Sequence, residues 1–267
     1  MTDAIIITAV GALAGLHSAS WGAYKDSPHE AFKTGKYLRS AVIGTAGAWL
    51  TALFLDTANV ISVNMGVFYA IAVIAERALT ELYKGYFRNE PQDKYRIPSA
   101  AHLMGNVVKN TGKRLAAGVA FTAAFTAFAL WALNTQPGDT IDLKATGIVF
   151  GLIGGLLIAV GGCLKDAPIE GFSKTKFMRS PLIASIAGLF LSGYTANPGM
   201  LMLSAMGLER AATEAYKTFV ARKIPGKFKA EKPLNPEWLA KRRIFLAPYA
   251  LTLMLFILLL QQNIALR

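Results

Sequence analysis

One cysteine, Cys163, stands in 267 residues, so no intrachain disulfide can form, and a lone thiol in an apolar stretch is expected to serve as a small buried hydrophobe. Histidine is nearly as scarce: there are three, and none is paired at metal-ligand spacing. Charge is also thin, with 16% charged against 54% apolar residues and a mean hydropathy of +0.40, which is too apolar for an ordinary water-soluble domain. The sequence contains no P-loop, no GxSxG, no HExxH and no paired-aspartate signature of membrane prenyl or CDP-alcohol transferases, which weakens the case for an enzyme.

What is present is a set of long apolar runs. Ala4–Trp21, Leu115–Leu133, Ala145–Leu164 and Ile244–Leu260 approach the roughly 20 residues that a helix needs to cross a 30 Å hydrocarbon core. They are continuous, whereas the strands of a membrane barrel alternate over about ten residues, so the expectation is helices. The first run is read as a span and not as a cleaved leader, because Asp3 precedes it and no Lys or Arg does.

The formal charge of +12 has a lopsided distribution. With helices placed at 4–22, 41–57, 62–87, 113–134, 144–164, 181–194, 198–220 and 244–262, the odd-numbered loops and their flanking helix ends hold 24 of the 28 Lys and Arg. Basic residues stay on the cytoplasmic side, so the four basic loops are expected in the cytoplasm and both termini outside, in a cytoplasmic (inner) membrane. The same asymmetry makes anionic inner-leaflet lipids the expected partner, met by Lys223, Lys227, Lys229, Lys232, Lys241, Arg242 and Arg243 in particular, and gives no reason to invoke nucleic acid.

The chain also matches itself. Lys25-Asp26-Ser27-Pro28-His29-Glu30-Ala31-Phe32 aligns with Lys165-Asp166-Ala167-Pro168-Ile169-Glu170-Gly171-Phe172, and Gly11, Gly15, Lys36 and Arg39 fall on Gly151, Gly155, Lys176 and Arg179 at the same offset of 140. At an offset of 133, Glu76-Arg77-Ala78-Leu79-Thr80-Glu81-Leu82-Tyr83-Lys84 aligns with Glu209-Arg210-Ala211-Ala212-Thr213-Glu214-Ala215-Tyr216-Lys217. The fold expected is therefore an all-α integral membrane protein of about eight transmembrane helices, in two tandem four-helix repeats over residues 1–140 and 141–267. An even number of spans per repeat gives both the same orientation, with a pseudo-twofold axis along the membrane normal. The paired glycines are expected to bring the first helix of each repeat to that axis.

Two sets of residues could carry chemistry. Glu76 and Glu209 follow an Asn helix start by twelve residues, roughly 18 Å of helix, which leaves them inside the hydrocarbon core. An ionisable group there costs about 2.5–3.5 kcal/mol and must face protein or water. Glu76, Arg77, Glu81 and Tyr83, with Glu209, Arg210, Glu214 and Tyr216, either bind substrate or ion in a polar cavity between the repeats or lock helices together. The locking pairs would be Glu76 with Arg210, or Arg77 with Glu81. The second set is Asp26, Glu30, Lys36 and Arg39 with Asp166, Glu170, Lys176 and Arg179. Its proline suits the first turn of a short interfacial helix, while its carboxylates and basic groups would suit a divalent metal and a phosphate.

The function expected is a transporter, channel or lipid-translocating protein with a polar site between pseudo-symmetric halves, its cargo a small molecule, an ion or a lipid. The alternatives are a metal-dependent membrane enzyme acting on a phosphorylated lipid or nucleotide-activated substrate at the cytoplasmic face, and a structural subunit of a membrane complex or oligomer. No cofactor is called for, a divalent cation at the acidic blocks aside.

Overall fold

In a computed structural model, which describes residues 2–55, 63–135, 142–221, 227–229 and 234–261, the chain is a helical bundle with one two-stranded ladder. Its elements are α1 (Thr2–Glu30), α2 (Thr34–Phe54), α3 (Met65–Leu82), β1 (His102–Leu103), β2 (Asn106–Val107), α4 (Thr111–Leu133), α5 (Leu143–Glu170), α6 (Lys174–Leu191), α7 (Pro198–Ala215), α8 (Pro236–Lys241) and α9 (Leu246–Gln261). Five-residue π-helical turns, Tyr83–Phe87 and Tyr216–Val220, continue α3 and α7, and a 3₁₀ turn joins α8 to α9. The expected limits at 57, 62 and 262, and Lys223 and Lys232 of the basic segment, lie outside the described residues, as do both ends of the chain.

Among the described residues, four helices are long and apolar enough, by length and composition, to cross a membrane: Asp3–Glu30, Thr111–Leu133, Leu143–Glu170 and Pro236–Gln261. Only 17% of the apolar window of α4 is buried, so most of its large side chains, Phe121 and Trp131 among them, face outward. An apolar exterior of this extent fits lipid as the surrounding solvent.

Several helices outrun their sequence-based limits at the charged end. The first continues to Glu30 without a break, and Pro28 sits in its last turn, so the expected short interfacial helix starting at that proline does not exist. A helix of 29 residues is roughly 43 Å long, which carries its charged tail beyond a 30 Å core. It stops where Ala31 turns left-handed, at φ 61, and α5 stops at Gly171, at φ 80.

The centre belongs to α3 and α7, which bury Val67, Phe68 and Ile71 against Leu201, Met202 and Ala205 in one core. The glycines of α1 and α5 do not meet at an axis, as the sequence suggested. They bring each helix onto its sequence neighbour: a Cβ on Gly11 would stand 2.7 Å from Ala48 Cβ of α2, and one on Gly155 would stand 2.6 Å from Pro181 Cα of α6. Backbones that close are held by dispersion, which lipid cannot replace. Cys163 is half-buried on α5 and not in the core.

Hydrogen bonds from asparagine side chains tie one end of the bundle. Asn64 Nδ2 donates to the Leu260 carbonyl at 3.0 Å and Asn197 Nδ2 to that of Thr135 at 2.9 Å, while their Oδ1 atoms cap α3 and α7. The basic connections gather at the other end. His102 Nε2 lies 3.0 Å from the Lys165 carbonyl, and Tyr95 forms an antiparallel bridge with Phe228.

The seam between the central helices is testable at Gly207, where a Cβ would collide with the Ala70 carbonyl, against Gly22, which has open space around it. Gly207→Ala is expected to destabilise by about 1–3 kcal/mol through overpacking, and Gly22→Ala to be neutral or stabilising by about 0.5–1 kcal/mol. Melting curves of the detergent-solubilised variants check both.

Candidate functional site

At the basic end a cleft opens between the last turns of α1, the first turns of α2 and the last turns of α3, with Tyr95, Ser99, Lys227 and Phe228 over it. Eight basic and four acidic side chains line it, a formal excess of positive charge in a space of ≈ 100 Å³ open to the centre of a water molecule. Both candidate sets contribute. Asp26, Glu30, Lys36 and Arg39 come from the first, and Glu76, Arg77 and Glu81 from the second.

The inner wall is the α3 block. Glu76 is 1% exposed; its Oε1 accepts from Thr80 Oγ1 at 2.8 Å, one helical turn on, and its Oε2 has no hydrogen-bond partner. Ser27 Oγ, Arg39 Nε and Arg88 Nε are likewise buried and unbonded around the cleft. Native interiors rarely leave such groups unmatched, because each costs about 1–3 kcal/mol. Arg77 pairs with Glu81 at 3.5 Å in the same helix, and Glu81 Oε2 also accepts from Lys165 of α5 at 2.5 Å.

The rim is an ionic lattice. Glu30 accepts from Lys36 at 2.5 Å and Lys94 at 2.9 Å. Lys94 also donates to Glu90 at 2.6 Å, and Arg88 reaches Glu90 at 2.7 Å. Burial opposes ionisation of Glu90, yet the Lys94 hydrogen bond and the Arg88 charge outweigh it and hold the carboxyl down at about 2. Burial also disfavours the Lys94 ammonium, but its bonds to Glu90 and Glu30 raise it above the usual lysine range. Lys227 goes the other way, because burial holds its ammonium well below that range against the pull of Glu81. The cover is a backbone pairing, with Arg96 N donating to the Lys227 carbonyl at 2.6 Å and Lys229 N to that of Lys94 at 3.1 Å.

The remaining candidates lie elsewhere. Tyr83 is exposed outside the cleft, with the Arg39 guanidinium 5.4 Å from its ring centre, and Tyr216 is exposed. Glu209 is buried between α6 and α7, where it accepts from Ser180 at 2.8 Å and Thr213 at 2.9 Å. Arg210 pairs with Glu214 at 3.1 Å and not with Glu76. Glu170 pairs with Lys176 at 2.9 Å at the end of α5, Asp166 is half-buried one turn earlier, and Arg179 is half-buried on α6. Asp26 pairs with Lys25 at 3.2 Å, and among the described residues no three His, Cys, Asp or Glu side chains converge as metal ligands.

Sequence reading missed Lys94 and Glu90, which are loop residues with no spacing to mark them, and expected Lys227 at anionic lipid and not over this cleft. It also missed His17, fully buried, with Nε2 3.4 Å from Glu214 and Nδ1 3.3 Å from Thr252. A lone histidine in an apolar helix was the one signal for it. The chain matches no protein-family model, no curated protein and no solved structure, so the site is interpreted from its own chemistry.

A carboxyl depressed to about 2, against about 4.3 in an unfolded chain, contributes stability that is complete above the higher value and lost as pH falls toward the lower. Hydrogen-exchange protection of the Arg96 and Lys229 amides, corrected for intrinsic rate, is expected to hold at neutral pH and fall between about pH 4.5 and 2. Glu90→Gln is expected to show reduced protection throughout that range.

Proposed function

We propose that this protein is a membrane transporter or lipid-translocating protein that binds a phosphate-bearing anion in the basic cleft. The observation that carries the reading is the set of buried, unbonded donor atoms of Ser27, Arg39 and Arg88 around a cleft whose charged side chains are mostly basic. Guanidinium groups with free donors suit the several acceptor oxygens of a phosphate, in charge-assisted bonds stronger than those of neutral partners. Lysine pairing of Asp26, Glu30 and Glu170 favours an anion over a divalent metal, since those carboxylates are already neutralised.

In this reading the chain makes eight crossings in two four-helix halves of the same orientation, 1–140 and 141–267. The aligned sequence blocks support it, as do an Asn cap at the start and a π-helical turn at the end of both α3 and α7. The basic end then faces the cytoplasm of an inner membrane and both termini face out, by the excess of Lys and Arg in its loops. The halves have diverged in use. Ser180 bonds Glu209 across α6 and α7, while Ser40 and Glu76, the aligned pair, line the cleft.

Inorganic pyrophosphate is a probe with the required chemistry. It is expected to raise the melting temperature of the purified protein, by about 2.7 kcal/mol of stabilisation at a hundred times its dissociation constant. Arg39→Gln and Arg88→Gln are each expected to weaken it tenfold or more, as measured by calorimetric titration. An unchanged melting temperature with millimolar pyrophosphate would overturn the reading. For transport, Glu76→Gln is expected to slow flux of the bound anion in proteoliposomes, and undiminished flux through a well-folded variant would exclude Glu76 from the path.

A further inference from the structure

Beside the basic cleft lies a second space, a groove between α2, α3 and α4 that is also ≈ 100 Å³ by the same measure. Its walls are Leu50 and Phe54 of α2, Ile71 and Ile74 of α3, and Phe125 and Phe128 of α4. Two of its three threonines bond within their own helices: Thr51 Oγ1 donates to the Gly47 carbonyl and Thr122 Oγ1 to that of Gly118, each at 2.8 Å. Leu50 is 41% exposed on the groove's outer edge, and the large side chains of α4 nearby face outward, so the groove opens on the apolar exterior.

The two spaces flank one seam. On α3, Glu76 and Thr80 line the cleft while their neighbours Ala75 and Leu79 line the groove; on α2, Ser40 lines the cleft and Gly47 the groove. The helices touch at Gly47, where a Cβ would stand 3.2 Å from Ala75 Cβ and 3.3 Å from Glu76 N. Arg39 spans the seam toward its charged end, lining the cleft while its guanidinium rests on the exposed Tyr83 ring. From Thr80 back to Ile71 is nine residues, ~13 Å of helix, close to the depth of one leaflet of a 30 Å core.

We propose that the ligand of the basic cleft is a net-anionic phospholipid of the adjoining leaflet, with its phosphate headgroup in the cleft and an acyl chain in the α2–α3–α4 groove. This rests on the reading of the cleft as a phosphate site. A headgroup held by charge-assisted bonds and a chain lying in a groove on the membrane face suit an amphiphile that enters sideways, past Arg39 and Tyr83, without leaving the bilayer. A soluble phosphate would make no use of the groove.

The test uses the full chain in phosphatidylcholine nanodiscs doped with phosphatidic acid that carries a photoreactive acyl chain. Adducts are expected on the groove residues of α2, α3 and α4 at least tenfold above the exposed faces of α5 and α9. Photoreactive phosphatidylcholine should show no such preference. Thr126→Trp, which fills the groove, and Arg39→Gln should each remove the enrichment; Leu50→Trp and Arg88→Gln replace them if either variant melts early. Equal labelling by both lipids, or labelling spread over α5 and α9, overturns the inference and leaves the pyrophosphate result standing. Enrichment that persists when Arg39→Gln has lost pyrophosphate also overturns it, because head and chain would then belong to different ligands. Absence of both enrichment and pyrophosphate binding removes the cleft reading as well.

Discussion

Charge cannot face hydrocarbon, and the arrangement of this bundle follows from that constraint. Glu76, Arg77, Glu81, Glu209, Arg210 and Glu214 all sit on two helices, and an ionised group in lipid costs several kcal/mol unless protein or water surrounds it. Those two helices, α3 and α7, are accordingly the central ones, wrapped by α1, α2, α5, α6 and α9. Once they are central, the most apolar segments, α4, α5 and α9, take the outside, where their exposed Phe, Leu, Ile and Met side chains match the solvent. The same requirement selects the internal pairs Arg77–Glu81 and Arg210–Glu214, because a partner one turn away on the same helix needs no further alignment.

Burial of paired charge explains a rigid centre, but it leaves the cleft unexplained. Glu209 Oε1 has serine and threonine donors and Glu76 Oε1 only its threonine, while the Oε2 atom of each is buried without a hydrogen-bond partner. Around Glu76 the walls carry more donors than the protein itself satisfies, and the lattice of Glu30, Lys36, Glu90 and Lys94 holds the rim in place. A rigid rim around unmatched groups is preorganised, so a ligand entering it gains bonds without first ordering the site. The proposed anion site and the proposed lipid path both depend on these unmatched donors at the cleft.

Much of the helical layout was readable in advance, because it rests on local signals. Asn197 caps the helix it is expected to start, its counterpart Asn64 caps α3 two residues inside the expected limit at 62, and Arg77–Glu81 forms at the spacing that suggests it. The glycines of α1 were rightly read as a close-packing face, but the partner was wrong: Gly44 of α2 offers a matching face, and the charged helices needed the centre more. Pro28 was misread as a helix start. Proline has no N–H to give the carbonyl four residues back and so usually ends a helix; here α1 continues through Pro28 and ends at the left-handed Ala31.

By itself the sequence determined a helical chain too apolar for water, the near-identity of its two motif pairs, and the crowding of Lys and Arg into alternate connections. These depend on composition and on spacing along one helix. Only the tertiary structure decided that the α1–α2 block and the α3 block face each other across one cleft, and that Lys94 and Lys227 complete it from distant loops. It also decided that Glu209 gains a serine donor that Glu76 lacks. The reason is physical: whether a buried carboxylate gains a second donor depends on the position of a serine on a neighbouring helix to within about an ångström of hydrogen-bonding range, and that position follows from the packing of whole helices.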